Sequence, residues 1–331
     1  MMTALSVTTD TRVTSLSGGR TKGFEACTGC SLCLLACPVW RATHDIRLTP
    51  HGRAKAMQHG AGAGDLAASI DSCTLCGACE PACPEDIALV DLIVSLRAPS
   101  QPAGMARQAA MPLGARQGEA VLLADAALAA NAGVLAQTAA LLGGMAVATD
   151  KGADIALALE SGAAIAPARL EAFLSPLRGA QALVVADGLL LRALRGWLPS
   201  SSSSFPLRVQ SLGEAASRTV AVRAALGRGD FYVIEARAYH ADRERLVGHY
   251  DELRHATGCG INLDMQRLAV PTTANSLPQR AGRNRVDVSA QARWIVEGKA
   301  FSRIVVEDLN DVAAFRSITD KPVLHVAQLA A

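Results

Sequence analysis

One twelve-residue pattern occurs twice in this chain and constrains it more than anything else. "CTGCSLCLLACP" begins at Cys27 and "CTLCGACEPACP" begins at Cys73; both read C-x2-C-x2-C-x3-C-P. A cubane cluster needs thiolates at four corners, and three cysteines at intervals of three let one loop wrap three of them. In two-cluster proteins built on this run, the fourth cysteine of each motif serves the other cluster. The pattern therefore predicts two [4Fe–4S] clusters, one on Cys27, Cys30, Cys33 and Cys83 and a second on Cys73, Cys76, Cys79 and Cys37. Zinc is the rival ion, but structural zinc sites favour two separated pairs and four ligands per ion. Pro38 and Pro84 fix the chain as it leaves each cage, and Gly29, Ser31, Gly77 and Ala78 leave room for backbone beside sulfide.

The rest of the chain is ordinary globular sequence. It has 331 residues, enough for two or three domains. Lys and Arg number 32 against 30 Asp and Glu, without long blocks of either sign, which argues against a nucleic-acid-binding domain. Eight of the nine cysteines lie in the two motifs, which fits metal chemistry in a reducing compartment better than a disulfide framework. No apolar run is long enough to span a bilayer, and the first residues lack a signal-peptide core. The expectation is a cytoplasmic protein, peripheral at the inner membrane only through a partner.

Composition shifts divide the chain into a disordered leader (1–23), a cysteine-rich helical unit (24–97), a Pro/Gly/Gln-rich linker (98–119) and an aliphatic remainder. "PEDIALVDLIVSLR" predicts a helix with Pro84 in its first turn. In the remainder, "AVLLAD", "ALVVAD", "FYVIEA" and "RIVVED" read as buried strands ended by polar turns. Strands separated by helical segments favour parallel sheets covered on both faces. "ALVVAD" matches "RIVVED", and "VQSLGEAA" matches "VLHVAQLA". This repeat predicts two similar α/β modules, 120–218 and 219–331, with the serine run 200–204 as a surface loop inside the first. The fold class expected is α+β multidomain: a helical two-cluster unit followed by two repeated α/β modules with parallel sheets.

Between Cys37 and Cys73 the chain is much longer than a minimal two-cluster protein needs. "RAKAMQ" and "DLAASID" read as helical, and "GAGAG" as a loop without the strand a dinucleotide site requires. Arg41, Arg47, Arg53 and Lys55 lie in this gap. They offset cluster charge, meet an acidic partner, or form a solvated helix face.

"CTGCSLCLLACPVW", "TPHGRAKAM" and "CTLCGACEPACPEDI", followed by a helix ending in "SLR", resemble the helical ferredoxin domain of the iron–sulfur subunits of glycolate oxidase and anaerobic glycerol-3-phosphate dehydrogenase. Heterodisulfide reductase-like proteins share it. In that family two α/β "CCG" modules follow, with paired cysteines that in some members hold an additional cluster. The tandem repeat falls where those modules belong, but their cysteines are missing. Tyr239, His240 and Asp242 stand near one expected cysteine, with Arg243 in its place. Paired cysteines expected near "TTANSLPQRAG" are absent. "EDLND" around Asp308 and "ADGLL" around Asp187 replace later ones, and "ATDKG" at 148–152 marks the first module's former pair. His325 keeps its expected place. Cys259 matches no motif position and reads as a buried free thiol. His240 and His325 read as ordinary hydrogen-bonded histidines.

The sequence has no nucleophile–base pair, phosphate loop, or flavin or nicotinamide fingerprint. The resemblance implies an electron-transfer subunit rather than an enzyme with its own active site. A flavin-containing dehydrogenase or an electron-transferring flavoprotein would donate electrons, and a membrane-bound quinone-linked or heterodisulfide reductase-like partner would accept them. Two alternatives stay open at this level: a reductase subunit of the heterodisulfide reductase type, and a redox-sensing or structural iron–sulfur module.

Overall fold

The computed structural model describes Leu16 and residues 19–98, 119–198 and 207–330. The serine run and nearly all of the linker lie outside the described residues, as do 1–15, 17 and 18 of the leader. The described leader residues enter the fold. Leu16 is buried in a core that includes Val90 and Ile93, and Lys22 bridges Ile87 in parallel, with the Ala88 amide on the Lys22 carbonyl at 3.0 Å. The cysteine-rich unit therefore starts before residue 24.

That unit is built of short helices: Leu32–Leu35, Pro38–Thr43, Pro50–Gln58, Ala67–Ser72 and Leu89–Arg97. Proline at the first position starts two of them, where no amide is needed. Thr49 caps the third by accepting from the Gly52 amide at 3.2 Å. The helix after the second motif begins at Leu89, not at Pro84. Asp86 takes a left-handed backbone (φ 57°) and Ile87 pairs with Lys22, so residues 84–88 form a turn.

The remainder folds as two four-stranded parallel sheets. The first contains β1 (Ala120–Leu123), β2 (Ala146–Val147), β3 (Ala182–Val185) and β4 (Arg208–Ser211), in the order β2-β1-β3-β4. The second contains β5 (Asp230–Val233), β6 (Gly260–Ile261), β7 (Arg303–Val306) and β8 (Val323–His325), in the order β6-β5-β7-β8. Topology thus repeats as the sequence repeats. The polar residues ending the strands have a local use: Asp125, Asp187, Ser211 and Glu235 each accept amide hydrogen bonds at a helix N-terminus. Among the described residues no helix is long and apolar enough to cross a membrane.

The three units share cores. Leu75, Val90 and Ile93 of the cysteine-rich unit pack with Leu159, Leu190 and Leu194 around the first sheet. Ala36 and Ala78 pack on Leu268, and Cys37 and Val39 on Val286, both reaching the second sheet's unit. The two sheet units meet through helices Gly188–Trp197 and Ala236–Ala241.

At that crossing a Cβ on Gly188 would stand 2.5 Å from the Ala238 amide nitrogen and 2.5 Å from Arg237 Cβ. Gly188→Ala is expected to destabilise the chain by about 1–3 kcal/mol through overpacking. Gly248→Ala, on an exposed helix position with nothing within 4 Å, should instead stabilise it by about 0.5–1 kcal/mol. Urea denaturation of both variants checks the pair.

Candidate iron–sulfur site

Cys37 of the first motif lines one hollow with Cys73, Cys76 and Cys79 of the second, and Cys83 acts on Cys33 alongside Cys27 and Cys30. Cys33 is pushed up to about 11, first by burial and then by neighbouring Cys83, Cys27 and Cys30. Cys76 is pushed up to about 12 by burial, with Cys37 and Cys73 adding to it. Burial also raises Cys37, with Cys73 beside it, and holds Cys79 well above the ordinary range, helped by Cys76, Glu80, Cys73 and Cys33.

Cys37, Cys73, Cys76 and Cys79 line one hollow, whose other walls include Val39, Leu75, Val90, Ile93 and Arg53. Among the described residues no three His, Cys, Asp or Glu side chains crowd tightly enough to hold a single ion. Four thiols lining one hollow suit a cubane, which takes one thiolate at each iron. The donor set fits there: four soft sulfur ligands in a largely apolar setting. Exposure differs between the groups. Cys30 is exposed and Cys37 is buried.

The loop carrying the second motif is fastened by side chains from every unit. Arg97 Nη2 donates to the Cys73 carbonyl at 2.5 Å and Nη1 to the Glu160 carbonyl at 2.6 Å. Arg237 Nη2 donates to the Thr74 carbonyl at 2.8 Å and pairs with Glu160 Oε1 at 2.5 Å. His240 Nδ1 bonds the Cys76 carbonyl at 2.8 Å, and Arg192 Nη2 pairs with Glu80 Oε2 at 2.7 Å. All of these side chains are buried. Gly77, at φ 76°, lets the loop pass against them, since a Cβ there would meet Arg192 and His240 at 3.3 Å.

Sequence reasoning named His240 but none of Arg97, Arg192, Arg237 or Glu80. An arginine within "LLLRAL" was the one available signal, because an apolar helix rarely buries a charge without a partner.

The four gap cations separate cleanly. Arg47 is exposed and pairs with Asp45 at 2.7 Å. Lys55 Nζ donates to the Cys27 carbonyl at 3.0 Å. Arg41 stacks over Trp294, 3.4 Å from the ring centroid. Arg53 is buried beside the hollow.

Residues of "TTANSLPQRAG" and "EDLND", two of the stretches named above, meet in space. Thr272, Thr273, Asn275, Asp308 and Asp311 line a pocket with Glu235 and Arg237, and its floor includes Thr74 and Cys76. Asn275 Nδ2 donates to Asp308 Oδ2 at 2.5 Å, and Thr272 Oγ1 bonds Asp311. Glu235 is raised to about 8, by burial and then by Asp308. Asp187 caps its helix, and Arg243 donates to the Gln266 carbonyl. Asp150 of "ATDKG" pairs with Arg169 away from this pocket. His325 Nε2 contacts the Glu307 carbonyl at 3.1 Å, and Cys259 is a buried core thiol.

Residues 23–87 match the family described as a 4Fe-4S dicluster domain. The chain is an iron–sulfur protein. Its iron–sulfur domain is the helical unit described above, and the match stops before the two sheets. No curated protein and no solved structure matched the chain.

In the metal-free iron–sulfur domain, Cys33 at about 11 and Cys76 at about 12 exceed the ordinary value of 9.0. Their neutral thiols favour the fold fully below the unfolded value and lose that contribution as pH rises through the folded ones. The metal-free chain is therefore expected to lose stability between about pH 9 and 12. Urea melts across that range should show a shallower decline in Cys33→Ala/Cys76→Ala.

Proposed function

We propose that this chain is a non-catalytic electron-transfer subunit carrying two [4Fe–4S] clusters. Cys27, Cys30, Cys33 and Cys83 hold one, and Cys73, Cys76, Cys79 and Cys37 hold the other. The observation that carries this reading is the hollow that Cys37 of the first motif lines together with Cys73, Cys76 and Cys79 of the second. Clusters of this type supply one-electron transfer when bound.

The chain's own residues prepare for that role. Cys30 is exposed, with Leu32 and Leu35 exposed beside it, which gives a redox partner an apolar contact next to the outer group. Cys37 is buried against Val286 of the second sheet unit while Cys30 is exposed, so exchange with a partner runs through the outer group. A flavin-containing dehydrogenase or electron-transferring flavoprotein is the donor in this reading. The acceptor is a quinone-linked or heterodisulfide reductase-like protein, and the setting is cytoplasmic. The sheet units are degenerate CCG-like modules that support the iron–sulfur domain. The reductase alternative needs paired cysteines where this chain has Thr272, Asn275 and Asp308.

Anaerobic purification followed by iron, sulfide and EPR analysis should give two cubanes and no other paramagnetic centre. Zinc, or a single cluster, would overturn the relay. Cys83→Ser should damage the centre built mainly by the first motif, and Cys37→Ser the centre built by the second. Damage confined to each residue's own motif would refute the crossed ligand sets.

A further inference from the structure

Arg53 stands in the wall of the hollow ringed by Cys37, Cys73, Cys76 and Cys79. It is only 2% exposed. Its Nη1 donates to the Leu48 carbonyl at 3.0 Å, the Ser69 carbonyl at 2.9 Å and Ser69 Oγ at 3.1 Å. All three acceptors are neutral. A guanidinium stays charged in a protein, and a buried charge is costly unless opposite charge lies near. Arg53 and Cys37 line the same hollow.

Local sequence aims this side chain inward. Thr49 caps the helix, Pro50 begins it, and Gly52 packs where a Cβ would strike the Ile46 carbonyl. One residue later, Arg53 enters the interior. Of the four cations between the motifs, only Arg53 lines the inner hollow.

We propose that Arg53 is the resident countercharge of the inner centre, held by Cys37, Cys73, Cys76 and Cys79, and that it makes this centre the more easily reduced of the two. The proposal rests on the two-cluster reading above.

Reduction adds negative charge, which a fixed cation favours. Burial alone opposes added charge, but the same low dielectric strengthens attraction to a nearby cation. Another group acts in the same direction as Arg53. Arg97, also buried, donates to the Cys73 carbonyl at 2.5 Å and so brings a second fixed cation to the same group. The carboxylate of Glu80, next to Cys79 in the chain, is paired with Arg192 at 2.7 Å. At the outer group Cys30 is open to solvent, which screens the nearby Lys55. An electron entering at the surface therefore settles inside.

The test is an EPR-monitored potentiometric titration of the anaerobically prepared full chain, with Cys76→Ser identifying the inner signal. In the unaltered chain the inner centre should reduce first. In Arg53→Met its reduced-to-oxidised ratio at fixed potential should fall about tenfold, equivalent to about 59 mV for one electron, while the outer centre stays put. Arg53→Lys should recover most of the shift. An outer centre that reduces first overturns the proposal, as does an Arg53→Met variant that moves both centres equally or neither. Should Arg53→Met lose the inner centre, the order of reduction in the unaltered chain and the Arg53→Lys titration decide between the outcomes. Iron and sulfide short of two cubanes would sink the two-cluster reading itself, a result seen before any titration begins.

Discussion

The backbone of residues 73–80 is the point from which the molecule is organised. Its Cys73, Thr74 and Cys76 carbonyls and the Glu80 carboxylate are each met by a buried side chain, as buried polar groups require. Arg97 comes from the iron–sulfur domain, Arg192 from the first sheet unit, and Arg237 and His240 from the second. Charge-assisted hydrogen bonds are the stronger kind, and each buried cation calls for its own balance. Glu160 and Glu80 provide it. Glu160 also receives Arg280 and the Leu277 amide, so one carboxylate ties both sheet units to the loop through its partners. Three units separate in sequence become one body through a few square-on contacts.

Much of this was readable in advance because it is local. Cysteine spacing is a local property, and so are the aliphatic runs that became β1, β3, β5 and β7. β2 and β6 were not readable, since each has only two residues and leaves no run to detect. The helix after the second motif starts late because a bridge to Lys22 decides the backbone of residues 84–88, and spacing within the segment carries no trace of that partner. At the site, the thiols were legible and their supports were not. Four cations in the gap looked alike in sequence, yet one is solvated, one stacks on Trp294, one touches a cysteine carbonyl and one is buried. Tertiary packing alone sorts them.

The sheet units bring polar side chains together at their strand ends. Thr272, Asn275 and Asp308 line one pocket beside Glu235 and Asp311. Asn275 bonds Asp308 and Glu235, and Thr272 bonds Asp311. Acidic residues at these ends also cap helices, so they serve the fold before anything else. The lasting contribution of these units to the iron–sulfur domain is mechanical and electrostatic, delivered through Arg192, Arg237 and His240.

The reach of those contacts bears on how the protein is made. Thr74 is bonded by Arg237, 163 residues further along, and Cys76 by His240, 164 residues away. Domains generally fold in turn as they leave the ribosome, and the first motif has its helix Pro50–Gln58 beside it early. The second loop must wait until well over half of the chain has emerged before its carbonyls find their donors. The loop thus reaches its final shape late in synthesis.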